Sequence, residues 1–414
     1  MSTQPELVAN LARRSVIVRE SPLRPGDPFD ERRSSGGSSM SMTPRDFHRR
    51  LPGYRRTPLL SVPVLAEQLG LDELLVKCES ERFGLPSFKM LGASWASYRA
   101  LSAHLGAEPG PWNDIDELAK ILASAGPLTL VAATDGNHGR AVARMARLVS
   151  LGARIFVPSG TAPARIEAIR AEGAELIEVD GDYDDAVARS AQEAGPRCLV
   201  VSDTSWPGYT DVPEWVIEGY STMFQEIDEA LSEGGIAAPD TVVVPVGVGA
   251  LAAAAVTHFR AGGPTGRPSV DLTMIGVEPS DAACVAASIR QGSPVSVPGP
   301  HRSIMAGLNC GTPSVVAWPK VSAGLDAMVV IGDDWARCAV RDLAMAGVCA
   351  GETGAAALGG LRAIRSAGMS DALGAPLGTR ALVLVTESVT DPVEWRRTLG
   401  VEVVGLADGQ LQPA

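Results

Sequence analysis

The chain of 414 residues carries 36 basic and 48 acidic side chains, a formal charge of −12. Such a chain repels polyanions, so neither nucleic acid nor an anionic membrane surface is an expected partner. At 45% hydrophobic and 20% charged residues, the composition excludes wholesale disorder and supports a large core in two or three domains.

Residues 1–45 have no sustained periodicity, and Arg32-Arg33-Ser34-Ser35-Gly36-Gly37-Ser38-Ser39 reads as a flexible arm. Eleven Arg against six acidic groups fall in residues 1–56, but those acids and the lack of an apolar segment argue against an export signal. From Pro58 onward, short apolar runs alternate with Ala-rich helical stretches. Leu74–Cys78, Leu128–Ala133, Arg154–Val157, Glu175–Val179 and Leu199–Val201 read as buried strands, as do Thr241–Pro245, Thr273–Val277 and Ala381–Val385. Arg140–Val149, Ala164–Ala171 and Asp185–Glu193 read as helices between them. The alternation predicts an α/β chain with parallel sheets covered on both faces, in more than one domain. Thr241–Phe259 is 19 residues without a formal charge, but Pro245, Gly247 and Gly249 interrupt it. It reads as strand, glycine turn and helix, and no membrane span is expected.

Six cysteines form no CxxC pair and are too dilute for a disulfide framework, which favours a reducing, cytoplasmic setting. Whether Cys284 and Cys310 meet is a question for the fold. Only Lys77, Lys89, Lys120 and Lys320 are lysines, so 32 of the 36 basic groups are Arg and cannot serve as amine nucleophiles. Lys89 stands after Gly84 and Pro86, flanked by Phe88, Met90 and Leu91. Desolvation there is expected to lower its pKa and free the amine as a nucleophile or imine former, although a snorkelling lysine at a helix start has the same local sequence. Lys77, in a strand beside Glu79, is expected to face solvent.

Thr134-Asp135-Gly136-Asn137-His138-Gly139-Arg140 follows a predicted strand and opens a helix, where open α/β sheets place ligands. An anion at the helix start and polar contacts from Asp135 and Asn137 fit this run, as does a plain Asx turn. Gly247-Val248-Gly249-Ala250 is a second such junction. It fits a phosphate loop, a tight turn or, with Glu278 as ribose ligand, a weak dinucleotide fingerprint that would make a nicotinamide-dependent oxidoreductase. His138 has a suggestive context, the other four histidines are scattered, and no spacing suits a metal.

Several runs in order between residues 46 and 396 carry a resemblance. They include Ser87-Phe88-Lys89-Met90-Leu91-Gly92, the Thr134 run, Asp203-Thr204-Ser205-Trp206-Pro207-Gly208-Tyr209, Gly247-Val248-Gly249-Ala250, Gly351-Glu352-Thr353-Gly354 and Thr386-Glu387. The chain resembles the fold-type II pyridoxal-phosphate (PLP) enzymes, the tryptophan synthase β-like group, and within it the diaminopropionate ammonia-lyases. The resemblance implies a large PLP-binding domain of residues 1–95 and 240–414, a small domain of 96–239, and the cofactor in the cleft. It implies that Lys89 holds PLP, that Asn137 contacts the ring hydroxyl, and that Gly247, Val248, Gly249 and Ala250 surround the phosphate. It also implies that Thr386 faces the pyridine nitrogen and that Glu352 joins the cofactor-binding set. A neutral hydroxyl at Thr386 does not force that nitrogen to stay protonated, which suits elimination.

Thr134, Asp135, Gly136, His138 and Asp203 are the implied substrate contacts. The implied reaction is β-elimination of 2,3-diaminopropionate to pyruvate and ammonia through aminoacrylate. Asp135 and Asp203 would bind the extra ammonium of that substrate, and Asp203 could act as base at Cα from the face opposite Lys89. A serine/threonine dehydratase or a β-replacement synthase is the alternative. Asn309 and Ser388 depart from the pattern and are expected at the pocket wall. A homodimer handling a small amino acid is the implied assembly.

Overall fold

The computed structural model describes residues 4–10, 42–262, 272–368, 377–400, 406–407 and 410–411. Two parallel sheets organise it. The larger has seven strands in the order β1-β10-β9-β8-β11-β3-β2. These are β1 (Glu6–Ala9), β2 (Leu59–Ser61), β3 (Glu73–Cys78), β8 (Thr241–Pro245), β9 (Thr273–Pro279), β10 (Ala327–Ile331) and β11 (Arg380–Val385). Its five inner strands run parallel, and the edge strands β1 and β2 are antiparallel. The smaller sheet is all parallel, in the order β6-β5-β4-β7: β4 (Thr129–Ala133), β5 (Gly152–Pro158), β6 (Glu175–Val179) and β7 (Cys198–Val200).

Parallel strands need crossovers, and helices on both faces leave them apolar throughout. The Thr-Val-Val-Val-Pro of β8 is buried at every position. Val242 and Val244 join one core cluster while Val243 packs with Ile275, Val329 and Val383 on the other face. Each such side chain contributes about 1.5–3 kcal/mol of burial.

All eight predicted strands are present to within two residues at either end, and helices stand at Asn137–Leu148, Pro163–Arg170 and Tyr183–Ala191. The uncharged stretch from Thr241 is β8, a glycine turn and the helix Ala250–Arg260, and among the described residues no helix is long and apolar enough to cross a membrane. Part of the segment expected to be a flexible arm, Glu6–Ala9, is instead strand β1, paired to β10; the serine-rich run at 32–39 lies outside the described residues. The implied domain boundary after residue 95 falls inside one continuous helix, Lys89–Leu105. All six cysteines, Cys284 and Cys310 included, are free thiols.

Candidate active site

The C-terminal ends of strands from both sheets converge on one cleft. Its lining includes Lys89, the whole run from Thr134 to His138, Asp203, Gly247 to Leu251 and Thr386. Each arrives by a short local rule. Lys89 is the first residue of its helix, beyond the turn in which Gly84 takes φ +70°. Gly136 sits at φ +151° before the helix Asn137–Leu148, and its N–H donates to Thr134 Oγ1 at 2.9 Å. Gly139 lets that helix approach β4 and β5, since a Cβ there would stand 2.4 Å from Thr134 Cγ2 and 2.6 Å from Ile155 Cγ2. Gly249 takes φ +100° and opens the helix Ala250–Arg260 with no side-chain cap, leaving first-turn N–H groups for an anion.

The charged core of the cleft is a chain of contacts on Asp203. Lys89 Nζ donates to Asp203 Oδ2 at 2.6 Å, and the buried Tyr183 hydroxyl donates to Oδ1 at 2.9 Å. His138 Nε2 donates to the carbonyl of Val201 at 2.7 Å, so Nδ1 faces Asp203 Oδ2 at 3.8 Å. Burial lowers the pKa of the His138 ring, while the Asp203 carboxylate beside it pulls the other way. Burial also opposes the charge on Asp203, but His138, Lys89 and Tyr183 outweigh it and hold the carboxyl below the usual range.

The expectation that Lys89 becomes a free amine is corrected by the same contact. Desolvation does disfavour its ammonium, yet the Asp203 carboxylate outweighs that penalty and raises the pKa. Asp203, expected to act from the face opposite Lys89, is here Lys89's direct hydrogen-bond partner. Asp135 differs from it. Burial pushes its pKa up to about 7 against the opposing pull of Arg165, with Asp203 adding repulsion.

Five sequence expectations meet other surroundings. Glu352 opens the helix Glu352–Ser366 but lines an adjoining depression with Arg165 and Asp391 and not the Lys89 cleft. Asn309 is held by Ser303, donating to its carbonyl at 2.8 Å, and Ser388 lies 3.3 Å from Cys349 Sγ; neither lines the Lys89 cleft. Glu278 is no ribose ligand. It is fully buried and accepts from the backbone N–H groups of Val285 and Ala286, both at 2.8 Å, which removes the ribose ligand from the nicotinamide reading of the Gly247 loop. Lys77 does not face solvent: it is buried and paired with Glu226 at 2.9 Å.

Tyr183, Arg165, Cys310, Thr353 and Glu387 line the cleft without having been singled out. Tyr183 follows Asp182, which caps its helix, and that is all the local sequence signals. Its reach to Asp203 depends on how β6 and β7 flank the inner strands.

A buried hydroxyl without a hydrogen-bond partner among the described residues, Thr386 Oγ1, also faces this cleft. With an uncapped helix at Gly249 and a single lysine, the donor set fits a phosphorylated pyridine aldehyde. A profile of the family described as pyridoxal-phosphate dependent enzyme matches residues 50–386, and the chain belongs to that family, as a lyase of fold type II that uses PLP. Diaminopropionate ammonia-lyase of Escherichia coli K12 is 35% identical over 373 residues, 87% of this chain and 91% of that protein. The Salmonella typhimurium enzyme of the same name is 36% identical over 299 residues, 69% of this chain and 71% of its own. The crystal structure of the Escherichia coli enzyme in complex with D-serine superimposes with a TM-score of 0.80 at 31% identity, covering 96% of this chain and 97% of that one. The chain is a member of the diaminopropionate ammonia-lyase family.

Proposed function

We propose that this chain catalyses the PLP-dependent β-elimination of 2,3-diaminopropionate to pyruvate and ammonia. The observation that carries the proposal is the pair of carboxylates, Asp135 and Asp203, lining one cleft with Lys89. A hydroxy amino acid brings one ammonium group; a diamino acid brings two, and desolvated carboxylates reward the second. When bound, the cofactor supplies an electron sink for the bond broken at Cα. Lys89 would hold it, the N–H groups following Gly247–Gly249 would take its phosphate, and Thr386 Oγ1 and Asn137 would meet its ring.

The two aspartates divide the work by proton affinity. Asp203, kept ionised by His138, Lys89 and Tyr183, binds a substrate ammonium and is a poor base. Asp135 has a proton affinity near neutrality and suits removal of the Cα proton from one enantiomer, with Lys89 Nζ, as the neutral amine it would be on release from the cofactor, serving the other. The group that took this proton, Asp135 or Lys89 Nζ, then returns it to the leaving nitrogen at Cβ. Loss of that ammonia leaves an unsaturated amine that water converts to pyruvate and a second ammonia.

Pyruvate release by the PLP-loaded protein should favour D- or L-2,3-diaminopropionate over serine and threonine by about a hundredfold in kcat/KM, because a site built for a charge loses heavily on an analogue lacking it. Equal or better turnover of serine or threonine would replace the proposal with a dehydratase. The acid limb of kcat/KM should have its midpoint near the value of about 7 held by Asp135. Activity rises with pH through that midpoint because the base must be ionised, and Asp135→Asn should erase the limb for one enantiomer only. A limb unchanged by Asp135→Asn would assign the base elsewhere.

A cytoplasmic homodimer is the further reading. The free thiols support the compartment. Light scattering should give about twice the 43.0 kDa chain mass, and a monomer mass would remove the dimer.

A further inference from the structure

Glu387 has no role in the chemistry above, yet both its backbone and its side chain are tied into the walls of the cleft. Its backbone bridges to Ser87, two residues before Lys89, and its carbonyl accepts from Gly351 N–H at 3.1 Å. Gly354 is obligatory beside it, because a Cβ there would stand 2.3 Å from the Glu387 carbonyl oxygen. The residue is 3% exposed, and its side chain reaches across to the helix Asn137–Leu148 that follows β4, where Asn137 Nδ2 donates to Glu387 Oε2. Its other oxygen, Oε1, is buried with no hydrogen-bond partner among the described residues.

An amide side chain can present either its oxygen or its NH2 group in a given direction, and van der Waals shape does not choose between them. Burial raises the Glu387 pKa against Arg165, Thr353 and Asn137, which favour the charge; in its ionised form it accepts and does not donate, and so selects the NH2 side of Asn137. The second N–H of the same group is then left for the cleft. We propose that Glu387 is the positioning residue for Asn137, orienting its amide so that an N–H, and not the amide oxygen, meets the ring hydroxyl of the cofactor. The inference rests on the reading that Asn137 contacts that hydroxyl. Lys89 and Arg165 also face the cleft and Glu352 lies beside it, but none of them is hydrogen-bonded to the Asn137 amide.

A double-mutant cycle tests the inference without using turnover. PLP dissociation constants and the visible absorption maximum are measured for the wild type, Asn137→Ala, Glu387→Ala and the double variant. Each single change is expected to weaken PLP binding about tenfold, the value of one charge-assisted hydrogen bond, and to move the band in the same direction. The double variant is expected to match Asn137→Ala within about twofold, since Glu387 acts only through that amide. Additive losses, or a Glu387→Ala protein with wild-type affinity and band, overturn the inference while leaving the Asn137 contact intact. Wild-type behaviour of Asn137→Ala removes the underlying contact and the inference with it. Should Glu387→Ala fail to fold, Glu387→Gln keeps the shape but can present an N–H to the Asn137 oxygen. A smaller shift in the same direction is then expected, and an unmoved band overturns the inference.

Discussion

Lys89→Ala is expected to reduce turnover by about three orders of magnitude or more while leaving the protein folded, because it removes both the covalent anchor and a proton carrier. The side chain is 19% exposed at the mouth of its helix, so its loss opens no core cavity. What it does leave is Asp203 without its cation; the carboxyl should then take up protons more readily, held only by the Tyr183 hydroxyl and the neighbouring His138. Borohydride reduction of the wild-type holoenzyme followed by peptide mass spectrometry should find the cofactor on Lys89 and not on Lys77, Lys120 or Lys320. Label on another lysine, or residual turnover within tenfold of wild type, would remove Lys89 from the role.

Glu226→Gln is expected to act on the opposite property. It should cost about 3–5 kcal/mol of stability, because it leaves two buried cations sharing one carboxylate. Behind the loop that delivers Lys89, Glu226 accepts from Lys77 Nζ at 2.9 Å and from Arg82 Nη1 and Nη2 at 2.8 and 2.7 Å. Arg82 Nε also donates to Glu79 Oε2 at 2.8 Å, and the Thr57 hydroxyl donates to Glu79 Oε1 at 2.5 Å. Two cations and two anions balance, all buried. Burial opposes ionisation of Glu226, yet the Arg82 and Lys77 contacts win and depress its pKa from 4.5 to about 2. A depressed folded-state pKa stabilises above the unfolded value and loses that contribution as pH falls through the folded one. Denaturant midpoints of the wild type should therefore drop between about pH 4.5 and 2, and Glu226→Gln should flatten this window. A variant as stable as wild type at pH 7 would show the cluster to be dispensable.

The two lysines explain what could be read in advance. Both stand beside apolar residues, and the one expected to be a free amine is ion-paired while the one expected in solvent is buried. Desolvation is a local property that flanking residues hint at; the partner that decides the outcome, Asp203 for Lys89 and Glu226 for Lys77, lies more than a hundred positions away. Glu278 misled for the same reason. Its place at the end of β9 suits a ribose ligand, but the helix Cys284–Gln291 folds back over it and uses both its oxygens. Glu352 was read into the cofactor site from its motif, whereas the residue lines the adjoining depression.

What the chain determined by itself is whatever depends on near neighbours: apolar runs of strand length, glycines where φ is positive, a helix start after each strand, and one lysine in an apolar turn. These fix parallel sheets and a cleft at their C-terminal ends, and their order along the chain carries the family. Tertiary structure alone decided the electrostatics. Which carboxylate stays ionised, which holds a proton near pH 7 and which side of the Asn137 amide faces the cleft depend on burial and on charges a few ångströms away in space. Coulomb and desolvation energies follow that distance, and separation along the sequence does not encode it.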